Sequence, residues 1–195
     1  MKKYSGVKVG IILAVLVLLL VGYYYLSNRL KEPKESNEKL TKVQEVLLRD
    51  MEWDYPPTPK EVVKYYSEIT KCFYNETYSD DELEKLARKA MALFDEELIS
   101  YNPWITYSND LKEDIKEYKE KKITILAYTT SSSTDVDFFE DDGSEWARLR
   151  CTYTLKQNTK TQKTNEIFLL RKDSDGRWKI YGWDLQENVA IQEEE

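Results

Sequence analysis

The stretch from Val9 to Leu26, VGIILAVLVLLLVGYYYL, carries no charged residue. At ~1.5 Å per helical residue it reaches about 27 Å, close to the ~30 Å hydrocarbon core of a bilayer. The run predicts a membrane span and constrains where the rest of the chain folds. A secretory signal peptide is the rival reading, because Lys2, Lys3 and Lys8 precede the run. Such peptides have apolar cores of ~7 to 15 residues and small residues at the cleavage site. Here the exit reads Gly22-Tyr23-Tyr24-Tyr25-Leu26-Ser27-Asn28, with no cysteine for lipoprotein processing. The three tyrosines suit an interfacial aromatic belt. Residues 1–28 are therefore read as a cytoplasmic end and an uncleaved transmembrane signal-anchor.

Basic residues flank the run almost equally, with Arg29, Lys31 and Lys34 on its far side, so they do not set the orientation. A long domain behind an N-terminal anchor is translocated largely regardless of its charge. The expectation is a single-pass protein of the cell membrane with its C-terminal domain outside the cytoplasm.

The net charge is −7, and residues 1–31 contribute +5 with no acid, leaving −12 for the remainder. An acidic domain lacks the basic footprint that phosphate binding requires, which argues against nucleic acid as a partner. The chain has no histidine, the commonest metal ligand and the usual general base near neutral pH. Two cysteines do not make a zinc site unaided, and no metal or cofactor is expected. Cys72 and Cys151 read as buried apolar filler or as halves of a disulfide; burial as free thiols is the favoured reading.

Residues 29–55 are read as a polar tether followed by a juxtamembrane helix from Glu38 to about Met51, with Leu40, Val43 and Leu47 on one face. Tyr55-Pro56-Pro57-Thr58-Pro59 stops it. The next helix starts there, with Thr58 as N-cap, Pro59 in the first turn and Glu61 completing a capping box, and ends near Asn75. Ser79 or Asp80 caps a third helix whose stripe runs from Leu83 through Phe94 to Leu98. A fourth is predicted from about Ser108 to Lys121.

From Ile123 the period changes from about 3.6 to 2. Ile123, Ile125 and Ala127 share one parity, and a polar loop through Gly143 follows. Trp146 to Leu155 alternates, with Ala147, Leu149, Cys151 and Tyr153 on the apolar side. Glu166–Lys172 and Arg177–Gln186 complete the set, joined by the Asp173-Ser174-Asp175-Gly176 turn. In the last strand Trp178 and Ile180 share a parity that Trp183 and Leu185 do not, which predicts a face-reversing bulge near Gly182. The fold class is α+β: an N-terminal transmembrane helix, then helices packed on a curved antiparallel sheet of about four strands. Residues 56–187 form this domain and 188–195 an acidic tail.

The capped helix TPKEVVKYYSEI, the helices after it and the closing DGRWKIYGWDLQ strands resemble the cone-shaped fold of the nuclear transport factor 2 superfamily. They also resemble single-pass bacterial envelope proteins carrying such a domain. The resemblance covers roughly Pro56 to Gln186. It implies an apolar cone in which enzymes of the superfamily place a carboxylate among tyrosines. Asp184 is the candidate carboxylate here, and Tyr128, Tyr153 and Trp183 the candidate pocket residues. No family motif maps onto them, and a strand-end acid beside core-rim aromatics explains the same residues.

The leading functional expectation is a membrane-anchored extracytoplasmic domain, held by Val9 to Leu26, that binds an envelope protein or a small ligand. The alternatives are a cone-pocket hydrolase or isomerase using a carboxylate and tyrosines, and a structural dimerisation module forming a homodimer.

Overall fold

The structure, a computed structural model, describes residues 40–186. The predicted anchor, the tether and the acidic tail lie outside the described residues. Among the described residues no helix is long and apolar enough to cross a membrane.

Helix α1 spans Lys42–Leu48 and begins where Thr41 and Gln44 form a reciprocal capping box. It is shorter than the periodicity suggested. Val43 and Val46 are its buried face, while Leu40 and Leu48 are exposed. Helix α2, Pro59–Asn75, starts and stops as its sequence predicts, with the Thr58 hydroxyl accepting from the Glu61 backbone N–H. The reciprocal half of that box is not made, because the Glu61 carboxylate pairs instead with Lys64 at 3.1 Å. Val62, Val63, Ile69 and Phe73 bury the α2 stripe in the core.

Helix α3, Asp80–Met91, carries a full capping box between Ser79 and Glu82. The apolar period continues past Met91, yet the helix does not. The Leu93 carbonyl accepts from the Ile180 N–H, and the Asp95 N–H donates to the Ile180 carbonyl, each at 2.8 Å. This short bridge to a sheet edge ends α3. Asp95 then N-caps a separate helix α4, Glu96–Tyr101. Pro103 opens helix α5, Trp104–Glu120, one turn earlier than expected. Lys122 ends it in the left-handed conformation, at φ 54°.

The sheet is antiparallel and has five strands rather than about four: β1 Ile123–Thr130, β2 Asp137–Asp141, β3 Ser144–Gln157, β4 Lys160–Lys172 and β5 Trp178–Gln186. The additional strand is β2, in the stretch read as a polar loop. It pairs with β3 through Asp142-Gly143, a two-residue turn with φ of 47° and 72°. Both residues at positive φ is the hairpin geometry that matches strand twist. The side chains of β2 are exposed throughout, so no apolar alternation announces it.

Strand β3 is the centre, flanked on one edge by β1 and β2 and on the other by β4, which pairs in turn with β5. Two bulges set which residues face the helices. In β1 the register slips at Leu126, so Tyr128 sits opposite Tyr153 and Ala127 is exposed. In β5 it slips between Gly182 and Ile180, which gives Trp183 a place opposite Phe168 on the inner face. Phe168, Leu170, Ile180, Leu149 and Cys151 are buried there against α2 and Leu93. Every residue of this core lies between Val43 and Ile180. A continuous core of its own is what an independently folding domain requires.

Candidate functional site

Helix α2 supplies Tyr66, Thr70 and Tyr74, and α5 supplies Tyr107, Asp110, Asp114 and Tyr118, to one cavity. Its opposite wall is Tyr153 from β3, Thr164 and Glu166 from β4, and Trp183 from β5. The volume is about 420 Å³, within the usual range of small-molecule sites. Eight of the nineteen lining residues are aromatic. Tyr74 and Tyr118 stack with centroids 4.0 Å apart, Tyr66 and Trp183 approach to 5.4 Å, and Phe94 meets Tyr107 edge-on at 5.5 Å.

Glu166 is the acid of the inner wall. It shares the inward parity of Phe168 and Leu170 on β4, where a fully apolar residue would continue the pattern. Burial alone pushes its carboxyl up to about 7, because the charged form loses hydration without gaining a cationic partner. The same burial raises the phenols of Tyr66, Tyr74, Tyr107, Tyr118 and Tyr153, which stay neutral and able to donate. Tyr153 uses its hydroxyl in a buried 2.7 Å hydrogen bond with Ser67. The hydroxyls of Tyr66, Tyr74, Tyr107 and Tyr118 and the Glu166 carboxyl have no hydrogen-bond partner among the described residues. The cavity therefore presents four phenols and one acid that bond no protein group and are left to solvent or a ligand, since among the described residues no fully buried side-chain polar atom lacks a partner.

Of the residues singled out in the sequence, Tyr153 and Trp183 line this cavity. Tyr128 lies elsewhere: it borders a groove between α1 and α2, and its hydroxyl donates to Glu68 at 3.2 Å. Asp184 is exposed on the outer face of β5, opposite Ile167. Beyond the bulge Trp183 pairs with Phe168 and Leu185 with Glu166, so the acid on the inward parity belongs to β4. The sequence does not mark Glu166 as inward, because the strand pattern is legible only from that residue on and its parity has nothing before it to be measured against.

Both cysteines are buried free thiols, Cys72 on α2 and Cys151 on β3, as the sequence predicts. Burial raises Cys72 to about 11, and Cys151 upward as well. Neither thiol is therefore activated for nucleophilic chemistry. Among the described residues no group of three or more acidic, histidine or cysteine side chains is placed to hold a metal ion.

A family model described as a domain of unknown function, DUF6715, matches residues 1–183. The chain belongs to that family. Its matched span takes in the apolar N-terminal run as well as the folded domain. No curated protein matches the sequence. Among solved structures, an IcmL-like type IV secretion system protein from Legionella pneumophila is similar at 14% identity, covering 67% of this chain and 93% of that one, with a TM-score of 0.36. At that depth of similarity nothing functional is transferred to this DUF6715 family member.

Proposed function

We propose that this protein is a membrane-anchored, extracytoplasmic small-ligand receptor whose cone-like domain, of the nuclear transport factor 2 kind, takes its ligand between α2, α5 and the inner face of the sheet. The observation that carries the reading is the aromatic cavity with its unpartnered phenols and acid. Apolar walls with a few convergent polar groups are the usual make-up of a small-molecule site. A helix-sheet interface built only for stability would instead have closed at native packing density.

The neutral fluorophore N-phenyl-1-naphthylamine tests the cavity on residues 40–195. It should bind with a blue-shifted emission that Thr164→Trp removes, since Thr164 lies on the inner face opposite Tyr153 and a tryptophan there fills the space. Equal signal from both proteins, or none from either, contradicts the reading. The location is tested on the full chain with a C-terminal epitope tag. Protease added to intact cells should remove the tag, and a protected tag contradicts an extracytoplasmic domain.

One observation favours a second reading, a cone-pocket hydrolase or isomerase. An acid that titrates near 7 beside neutral phenols is suited to general acid-base work. The carboxylate in that reading is Glu166, not Asp184, and turnover unaffected by Glu166→Gln would remove it.

A further inference from the structure

We infer that the ligand is an organic cation, an amine or quaternary ammonium on an apolar body, held by cation–π contacts and by Glu166. The inference rests on the small-ligand reading above and specifies its chemistry. All three ionisable carboxylates of the cavity wall are acidic in one field: Asp110 and Asp114 lie one turn apart on α5 at the exposed rim, and Glu166 lies inside. No lysine or arginine lines the cavity among the described residues. The groove that Tyr128 borders is different, for Lys42, Arg49 and Lys71 offset Glu45, Asp54, Glu68 and Glu76 there. The absence of basic groups is thus particular to the aromatic cavity and not a consequence of the acidic surface.

The aromatic faces supply the second half. Tyr66, Tyr74, Tyr107, Tyr118 and Trp183 line the space that Glu166 borders, Tyr74 and Tyr118 each with one ring face covered by the other. Ring faces carry the negative end of a quadrupole and attract a cation, most strongly where water is excluded. An anionic ligand would meet three carboxylates and those same faces with no compensating charge. A neutral ligand would fill the volume but leave Glu166 without the partner that favours its ionisation. An ammonium carried on an apolar body meets each of these features: the rings and the acid with its charge, and Leu98, Leu111 and Ile125 with the rest.

Calorimetry on residues 40–195 at pH 8 with an isosteric pair tests this. Phenyltrimethylammonium and its neutral counterpart tert-butylbenzene have the same shape and differ in charge. The cation should bind at least about tenfold more tightly, the equivalent of one strong desolvated cation–π contact. Glu166→Gln should weaken the cation by about tenfold or more while leaving tert-butylbenzene unchanged, which also shows that the variant cavity is intact. Equal affinities for the pair overturn the inference, as does a Glu166→Gln protein that binds the cation normally. Binding of N-phenyl-1-naphthylamine with no binding of the cation overturns it while leaving the small-ligand reading standing. Failure of all three probes removes both.

Discussion

Arg171→Leu is expected to destabilise the domain by about 3 kcal/mol, because it leaves a buried carboxylate with its charge uncompensated. Asp95 is only 4% exposed. Arg171 grips it with two hydrogen bonds, Nε to Oδ2 at 3.0 Å and a terminal nitrogen to Oδ1. The guanidinium is held in place by the rings of Trp146 and Tyr181, whose centroids lie 5.4 and 5.0 Å from it. Its other terminal nitrogen reaches Glu97 at 3.5 Å, and Tyr181 donates to the same carboxylate at 2.8 Å. Asp95 meanwhile accepts from the Glu97 N–H as the cap of α4. One guanidinium therefore ties the start of α4 to β3, β4 and β5. Asp95→Asn, which keeps the cap oxygen and removes the buried charge, should cost less than Arg171→Leu. Urea unfolding of the two variants checks the order. A loss below about 1 kcal/mol for Arg171→Leu would place this pair with ordinary surface ion pairs.

The second large effect concerns Glu166 and runs the other way. Its carboxyl titrates near 7 in the folded protein against an ordinary value of 4.5. Between those two pH values the folded state binds more protons than the unfolded state, so stability falls as pH rises through the window. At about 1.4 kcal/mol per unit, the difference amounts to roughly 3 kcal/mol by pH 8. Glutamine has the shape of the protonated acid and does not titrate. Glu166→Gln should therefore match the wild type near pH 4 and exceed it by about 3 kcal/mol at pH 8. Denaturation midpoints compared at the two pH values measure the effect, and a constant difference between the proteins would contradict it.

Much of this architecture is written locally. Thr58-Pro59 and Ser79 with Glu82 announce two helix starts because capping depends on residues three apart. The apolar side of β3 is legible because every inward residue from Ala147 to Tyr153 is buried. The β5 bulge is legible because its aromatic and aliphatic residues change parity at a glycine. Other features depend on partners distant in sequence. The break after α3 is imposed by Ile180 on β5, and the apolar repeat runs through it without interruption. Strand β2 is held by backbone pairing to β3 while its side chains remain wet. For the site, Tyr153 and Trp183 were legible as inward aromatics. Glu166 was not, since an acid among threonines, asparagine and lysine reads as a solvated strand end until α2 and α5 are known to cover it.

The most direct test of the account is the titration of Glu166 itself, followed through its side-chain carbonyl carbon by NMR in protein labelled at glutamate, with Glu166→Gln supplying the assignment. The account requires a midpoint close to 7, set by desolvation in a cavity that gives the carboxylate no cationic partner. A midpoint near 4.5 would mean that the carboxyl is hydrated as freely as a surface glutamate, and the cavity would lack the desolvated acid on which the proposed function rests.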